Sequence, residues 1–208
     1  MSAGALVDPQ ALRRTVPLVA GLNLAYFVVE LSVAVAIGSV SLTADSVDFL
    51  EDAAINLLIA LALGWTLSRR AVVGRVMALV ILLPALAAAW QAVSKAFEPS
   101  APDVTALLVT AAGAAAVNAV CAVLLVGVRH HGGSLGGAAY LSARNDVAVN
   151  LTIIAMALVT AWTGSGWPDI VLGAVIVVVN SRAAWEVWGL AGEERLAARA
   201  LAGEALDD

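Results

Sequence analysis

Charge, sulfur and imidazole are all scarce in this chain. Only 13% of its 208 residues are Asp, Glu, Lys or Arg, and it has one cysteine and two histidines. The lone Cys121 excludes an intramolecular disulfide and any multi-cysteine metal cluster. His130 and His131 sit side by side in the segment RHHGGSLGG, which reads as a flexible, solvated loop rather than a point of metal capture. With the histidines confined to one loop and no base near Cys121, the residues of a nucleophilic enzyme are missing. Basic residues form no patch, so the chain has no nucleic-acid-binding face. Alternating ten-residue strand patterns are absent too, which argues against a membrane β-barrel.

What is present is apolar length. Hydrophobic residues make up 62% of the chain and the mean hydropathy is +0.94, far outside the range of soluble domains. Runs of about 20 apolar residues, enough to cross a bilayer, occur at Val16–Gly38, Leu42–Trp65, Val72–Val93, Ala106–Val128, Ala138–Trp162 and Ile170–Trp188. The fold expected is an all-α membrane protein with six transmembrane helices. Residues 1–15 then form an N-terminal segment, 16–190 the six-helix domain and 191–208 a short tail. Only the tetrapeptide GSVS separates the first two spans, so these helices pack as an antiparallel pair. The small-residue run TAAGAAAVNAV in the fourth span permits close helix contact, with Asn118 as an interhelical hydrogen-bonding group. Pro84 marks a kink in the third span, which carries no acid. The sixth span reads as scaffold until Asn180. Trp162 and Trp167 bracket one membrane interface, Trp185 and Trp188 the other.

Loop charge sets the orientation. With the N-terminus inside, Arg13, Arg14, Arg69, Arg70, Arg75, Arg129, Arg182, Arg195 and Arg199 are cytoplasmic, and Lys95 alone lies outside. This bias places both termini in the cytoplasm.

The net charge of −5 conceals the informative feature, because Glu30, Asp45, Asp48, Glu51, Asp52 and Asp146 all fall inside apolar spans. A carboxylate at mid-membrane costs about 2.5–3.5 kcal/mol on an insertion scale. At about 100° per residue, Asp45, Asp48, Asp52 and Asn56 line one face of the second span, and Glu51 points away from that stripe. In the fifth span Ser142, Asp146 and Asn150 recur every four residues. Arg144 lies about 160° around the helix from Asp146 and cannot easily neutralise it. Asn23 and Glu30 share a face of the first span and read as structural polar contacts. Asp52 and Asp146 come to the same depth on oppositely running helices. Neighbouring carboxylates repel, so proton and cation become alternative occupants of one site. That competition is the physical basis of cation/proton exchange.

The stretches SLTADSVDFLEDA and AAYLSARNDVAVN resemble the second-helix and fifth-helix motifs of the cation diffusion facilitator family. LNLAYFVVELSVAVAIGSVSL and GWPDIVLGAVIVVVNSR extend the resemblance over nearly the whole chain. It implies a homodimeric exporter of divalent transition metals, driven by protons as counter-ion and working by alternating access. By that resemblance Asp48, Asp52, Ser142 and Asp146 are the metal ligands, and Asp45, Asn56, Asn145 and Asn150 shape the site or the path to it. No cofactor is implied beyond the transported ion, and the partners are membrane lipid and a second copy of the chain. The setting is a multi-pass protein of a bacterial inner membrane.

Two departures from the family pattern bear on function. Zinc-carrying members commonly have histidine at one or both first-ligand positions, where this chain has Asp48 and Ser142. An all-oxygen shell tilts affinity toward manganese, iron(II), cobalt or magnesium, although zinc also accepts carboxylates. Zinc is favoured on family frequency, with cadmium as its mimic. The second departure is that the family's cytoplasmic metal-binding domain has no counterpart after the sixth span, which leaves the membrane helices to form a dimer. A cation channel is the rival reading of the same acidic stripe.

Overall fold

The computed structural model describes residues 9–62, 66–126 and 133–181, and these form a bundle of six helices with no strand. They are α1 (Pro9–Ile37), α2 (Val40–Ala62), α3 (Leu67–Phe97), α4 (Val104–Val126) and α5 (Gly133–Thr163), followed by α6 (Trp167–Ser181). The chain is a multi-pass membrane protein. In α1, α4 and α5, apolar stretches of 24, 23 and 24 residues are long enough to cross a bilayer.

Several helices outrun the apolar spans. The 31 residues of α3 extend about 46 Å, well beyond a hydrocarbon core of about 30 Å. Hydropathy marks only the part that lipid must cover, and the helical backbone continues past it. Helix α3 runs on through Pro84. Contrary to the loop expected from GGSLGG, α5 begins at Gly133 and is helical through Gly136 and Gly137. Intrahelical hydrogen bonding there outweighs the roughly 1 kcal/mol helix cost of each glycine. His130, His131, Trp185, Trp188 and the tail lie outside the described residues.

The helices pack through small residues. One buried cluster holds Ala34 of α1, Leu42 and Ala44 of α2, Ala88 of α3, Leu107 and Ala111 of α4, Ile153 and Ala157 of α5, and Ile176 of α6. Every helix contributes to it. Alanine at these crossings lets backbones approach where lipid offers no hydrophobic drive to association. At Gly113 on α4 the hydroxyl of Tyr26 occupies the space a Cβ would take, donating to the Thr110 carbonyl at 2.7 Å. The Tyr26 ring also packs on Phe49 of α2, with centroids 5.0 Å apart. Cys121 is buried against Val16, Val19 and Leu125.

The turn between α1 and α2 is the tightest junction. Gly38 takes φ +65°, Ser39 N–H reaches the Ala34 carbonyl at 3.0 Å and Gly38 N–H reaches Val35 at 3.4 Å. This paired closure is the glycine-terminated Schellman arrangement. Ser39 then caps α2, its Oγ accepting from Leu42 N–H at 3.2 Å. The remaining first-turn donors of α2 are met from the far end of the sequence by Asp169 of α6. Its carboxylate accepts from Val40 N–H at 2.8 Å, from Ser41 N–H at 3.1 Å, and from the Ser39 and Ser41 hydroxyls at 2.7 and 2.6 Å. Lys95, at the end of α3, pairs with Asp169 at 3.5 Å and donates to the Gly38 carbonyl. The lone basic residue expected outside is thus engaged in a buried network.

Helix α6 reaches this position because Gly173 has no side chain. A Cβ there would stand 2.6 Å from Val40 Cγ1 and 2.8 Å from the Ser41 nitrogen. Removing Asp169 would strand a buried ammonium and several donors, and breaking one partner of such a pair costs about 3–5 kcal/mol. Asp169→Ala should therefore lower the thermal unfolding midpoint in detergent by several degrees. A midpoint equal to wild type would show that the network contributes nothing to stability.

Candidate metal centre

Helix α2 carries Asp45, Asp48, Glu51 and Asp52 through the bundle, and every one of them is largely sequestered. Asp45 and Asp52 are buried, at 0% and 4% exposure. Their directions then divide them into two groups.

Asp48 and Asp52 face α5. They line a cavity of about 200 Å³ together with Glu51, Ser142, Asn145, Asp146, Val149, Val179 and Asn180. Ser142 Oγ donates to Asp52 Oδ1 at 2.9 Å, and the carboxyls of Asp52 and Asp146 lie beside each other. Asp48 lies within electrostatic reach of Asp52, Asp146 and Glu51. The structure therefore brings Asp48, Asp52, Ser142 and Asp146 to one cavity between two helices. Among the described residues, no three carboxylate, thiol or imidazole groups stand close enough together to hold a metal ion in this arrangement.

The flanking asparagines follow a common pattern. Asn56 Nδ2 donates to the Asp52 backbone carbonyl at 2.8 Å, and Asn150 Nδ2 to that of Asp146 at 2.9 Å. Each lies one turn beyond a carboxylate and holds the peptide that carries it. Neither lines the cavity, whereas Asn145 does. Asp45 points elsewhere: its carboxyl lies against Glu30 of α1. Arg144 is exposed while Asp146 is buried, in keeping with their opposed positions on α5.

Two cavity residues were not expected from the sequence. Glu51 was read as pointing away from the stripe, yet it borders the same cavity. Its position is about 60° from Asp48 around the helix, and the cavity is wide enough to include both. Asn180 donates to the Ala44 carbonyl at 3.2 Å and brings α6 to the cavity wall, so this helix is more than scaffold. A polar residue recurring inside an otherwise apolar span was the available signal.

A carboxylate-lined cavity between helices of a polytopic bundle suits a cation. The chain belongs to the cation efflux family: the cation efflux transmembrane domain matches residues 17–188. No individual curated protein matches the chain. The match spans all the described helices except the first turns of α1, and includes every residue of the cavity.

The hydroxyl of Ser142 both contacts Asp52 and faces the cavity. Truncation to Ser142→Ala removes one oxygen from the cavity wall. Calorimetric titration with Zn²⁺ or Mn²⁺ should show weaker binding by roughly fivefold to tenfold. An unchanged affinity for both ions would remove Ser142 from the ligand set.

Proposed function

We propose that this cation efflux protein exports a divalent transition metal from the cytoplasm in exchange for protons, with Asp48, Asp52, Ser142 and Asp146 as the metal ligands. The observation that carries the reading is the contact of Asp52 with Asp146 across α2 and α5, at a cavity that Asp48 and Ser142 share. Two carboxylates in contact repel unless a proton or a cation lies between them, so each occupant displaces the other. Closing a four-ligand shell requires Asp48 to move onto the Asp52–Asp146 pair. Arrival of a cation supplies the attraction for that movement.

Transport follows from alternating exposure of the cavity. Metal enters from the cytoplasm and displaces protons, and a rearrangement of the helices then opens the site outward, where protons return and release the ion. The arginine-rich segments place both termini in the cytoplasm, and the membrane is the inner membrane of a bacterium. Zinc, with cadmium as its mimic, is the favoured cargo. The oxygen-only ligand set keeps manganese, iron(II) and cobalt as alternatives.

A homodimer would form through membrane helices. Helix α3 presents Val76, Leu79, Leu83, Leu86, Trp90 and Val93 outward and supports an assignment of the interface to that face. Leu83→Cys should give a disulfide-linked dimer on oxidation in membranes. Monomers alone, with Cys121 buried in the core, would rule out this face.

The decisive experiment is metal flux in proteoliposomes. Asp52→Ala and Asp146→Ala should each abolish zinc transport driven by a pH gradient while the protein still inserts. Normal flux in either variant would overturn the ligand assignment. Metal flux that follows its own gradient without proton counterflow would identify a channel instead.

A further inference from the structure

Away from the cavity, Glu30 of α1 and Asp45 of α2 present their carboxyls to each other. Both residues have 0% exposure. None of their four oxygens meets a hydrogen-bond donor. The donors around them are few. Tyr26 gives its hydroxyl proton to the Thr110 carbonyl. Asn150, whose side chain lies beside Asp45, gives Nδ2 to the Asp146 carbonyl, and its own Oδ1 is buried without a partner. Four buried carboxyl oxygens thus share at most the second N–H of Asn150 as a donor.

Two ionised carboxylates cannot share such a place. Each is an acceptor only, and burying a carboxylate without a partner costs several kcal/mol. The titratable groups facing the pair are Tyr26 on α1, Asp48 on α2 and Asp146 on α5. None is cationic, so no described side chain balances the charge. One proton resolves the accounting, because a protonated carboxyl becomes a donor to its neighbour. The resulting O–H···O⁻ bond is of the strong, charge-assisted kind.

We propose that Glu30 and Asp45 form a proton-binding site separate from the metal ligands, holding one proton between their carboxyls and connected to the metal cavity through Asn150. This rests on the exchange reading above and assigns a place to part of the counter-ion. Neither residue lines the metal cavity. Asn150 spans the two sites, with its amide beside Asp45 and its Nδ2 on the peptide of Asp146. A divalent ion at Asp48, Asp52 and Asp146 brings positive charge toward Asp45, and the shared proton then departs to water as H⁺. When the metal leaves, a proton from water restores the pair.

Infrared difference spectroscopy of the full chain in detergent tests the proposal through the C=O stretch of a protonated carboxyl. At neutral pH the wild type should show this band and lose intensity when Zn²⁺ is added. Glu30→Gln should remove the component that Zn²⁺ bleaches. The variant should keep its Zn²⁺ affinity within about tenfold while releasing about one proton fewer per ion bound. Asp45→Asn addresses the same oxygen pair and should remove the same component, leaving the part of the bleaching that belongs to Asp52 and Asp146. A band unchanged by both substitutions, or unaffected by Zn²⁺ in wild type, overturns the proposal. Loss of one bound Zn²⁺ per chain in Glu30→Gln overturns it as well, by making the pair a metal site. Asp52→Ala separates the two readings: retained Zn²⁺ binding there removes the metal-ligand assignment, while the Glu30-dependent band still reports on the proton site.

Discussion

The carboxylate of Asp169 fixes where α2 begins, and with it the direction of every acid further along that helix. A helix start leaves N–H groups without intrahelical partners, and inside a membrane water is not there to receive them. Here those of Val40 and Ser41 are met by a side chain 129 and 128 residues away in sequence. Helices α1, α2, α3 and α6 are joined at this one point through Gly38, Ser39, Lys95 and Asp169. The negative carboxylate also lies at the positive end of the α2 dipole, where it is favoured. Once the first turn is held, Asp48 and Asp52 face α5 and Asp45 faces α1.

The division of the acids between two helix faces gives the bundle its chemical organisation. Placing Asp45 at the same cavity would add a further like charge to the four carboxyls already there. Turning Asp45 toward Glu30 leaves fewer carboxyls facing α5, where Ser142 contributes an uncharged oxygen. The paired roles of Asn56 and Asn150 reinforce this economy, since each stabilises the peptide behind a carboxylate without adding charge to the cavity.

Much of the architecture was legible from one-dimensional features. Six apolar runs predict six helices, and the four-residue spacing of Ser142, Asp146 and Asn150 places them on one side of α5. The recurrence in SVDFLED brings Asp48 and Asp52 to the same wall of α2. Other features depended on contacts that spacing does not encode. Asp169 resembles any acid near a helix start, and only the fold shows that it caps another helix. Asp45 shares the stripe of Asp48 and Asp52 on a helical wheel, yet the crossing of α1 over α2 turns it into a partner for Glu30. Glu51 shows the opposite effect, because a cavity of finite width reaches residues beyond a narrow stripe. Asn180 takes its role from the position of α6 beside Ala44.

The hydrogen bond from Ser142 to Asp52 has a consequence for discrimination between ions. With Ser142 and Asp52 as the proposed ligands, the hydroxyl proton occupies a lone pair that an incoming cation needs, so ligation begins with the loss of an existing bond. Every ion meets the same threshold, but the return differs with charge density and preferred geometry. A weakly attracting monovalent ion gains little from displacing the proton, whereas a small divalent ion recovers more by contacting several oxygens together. On the proposed ligand assignment, the bond between Ser142 and Asp52 raises the contrast between cations at entry.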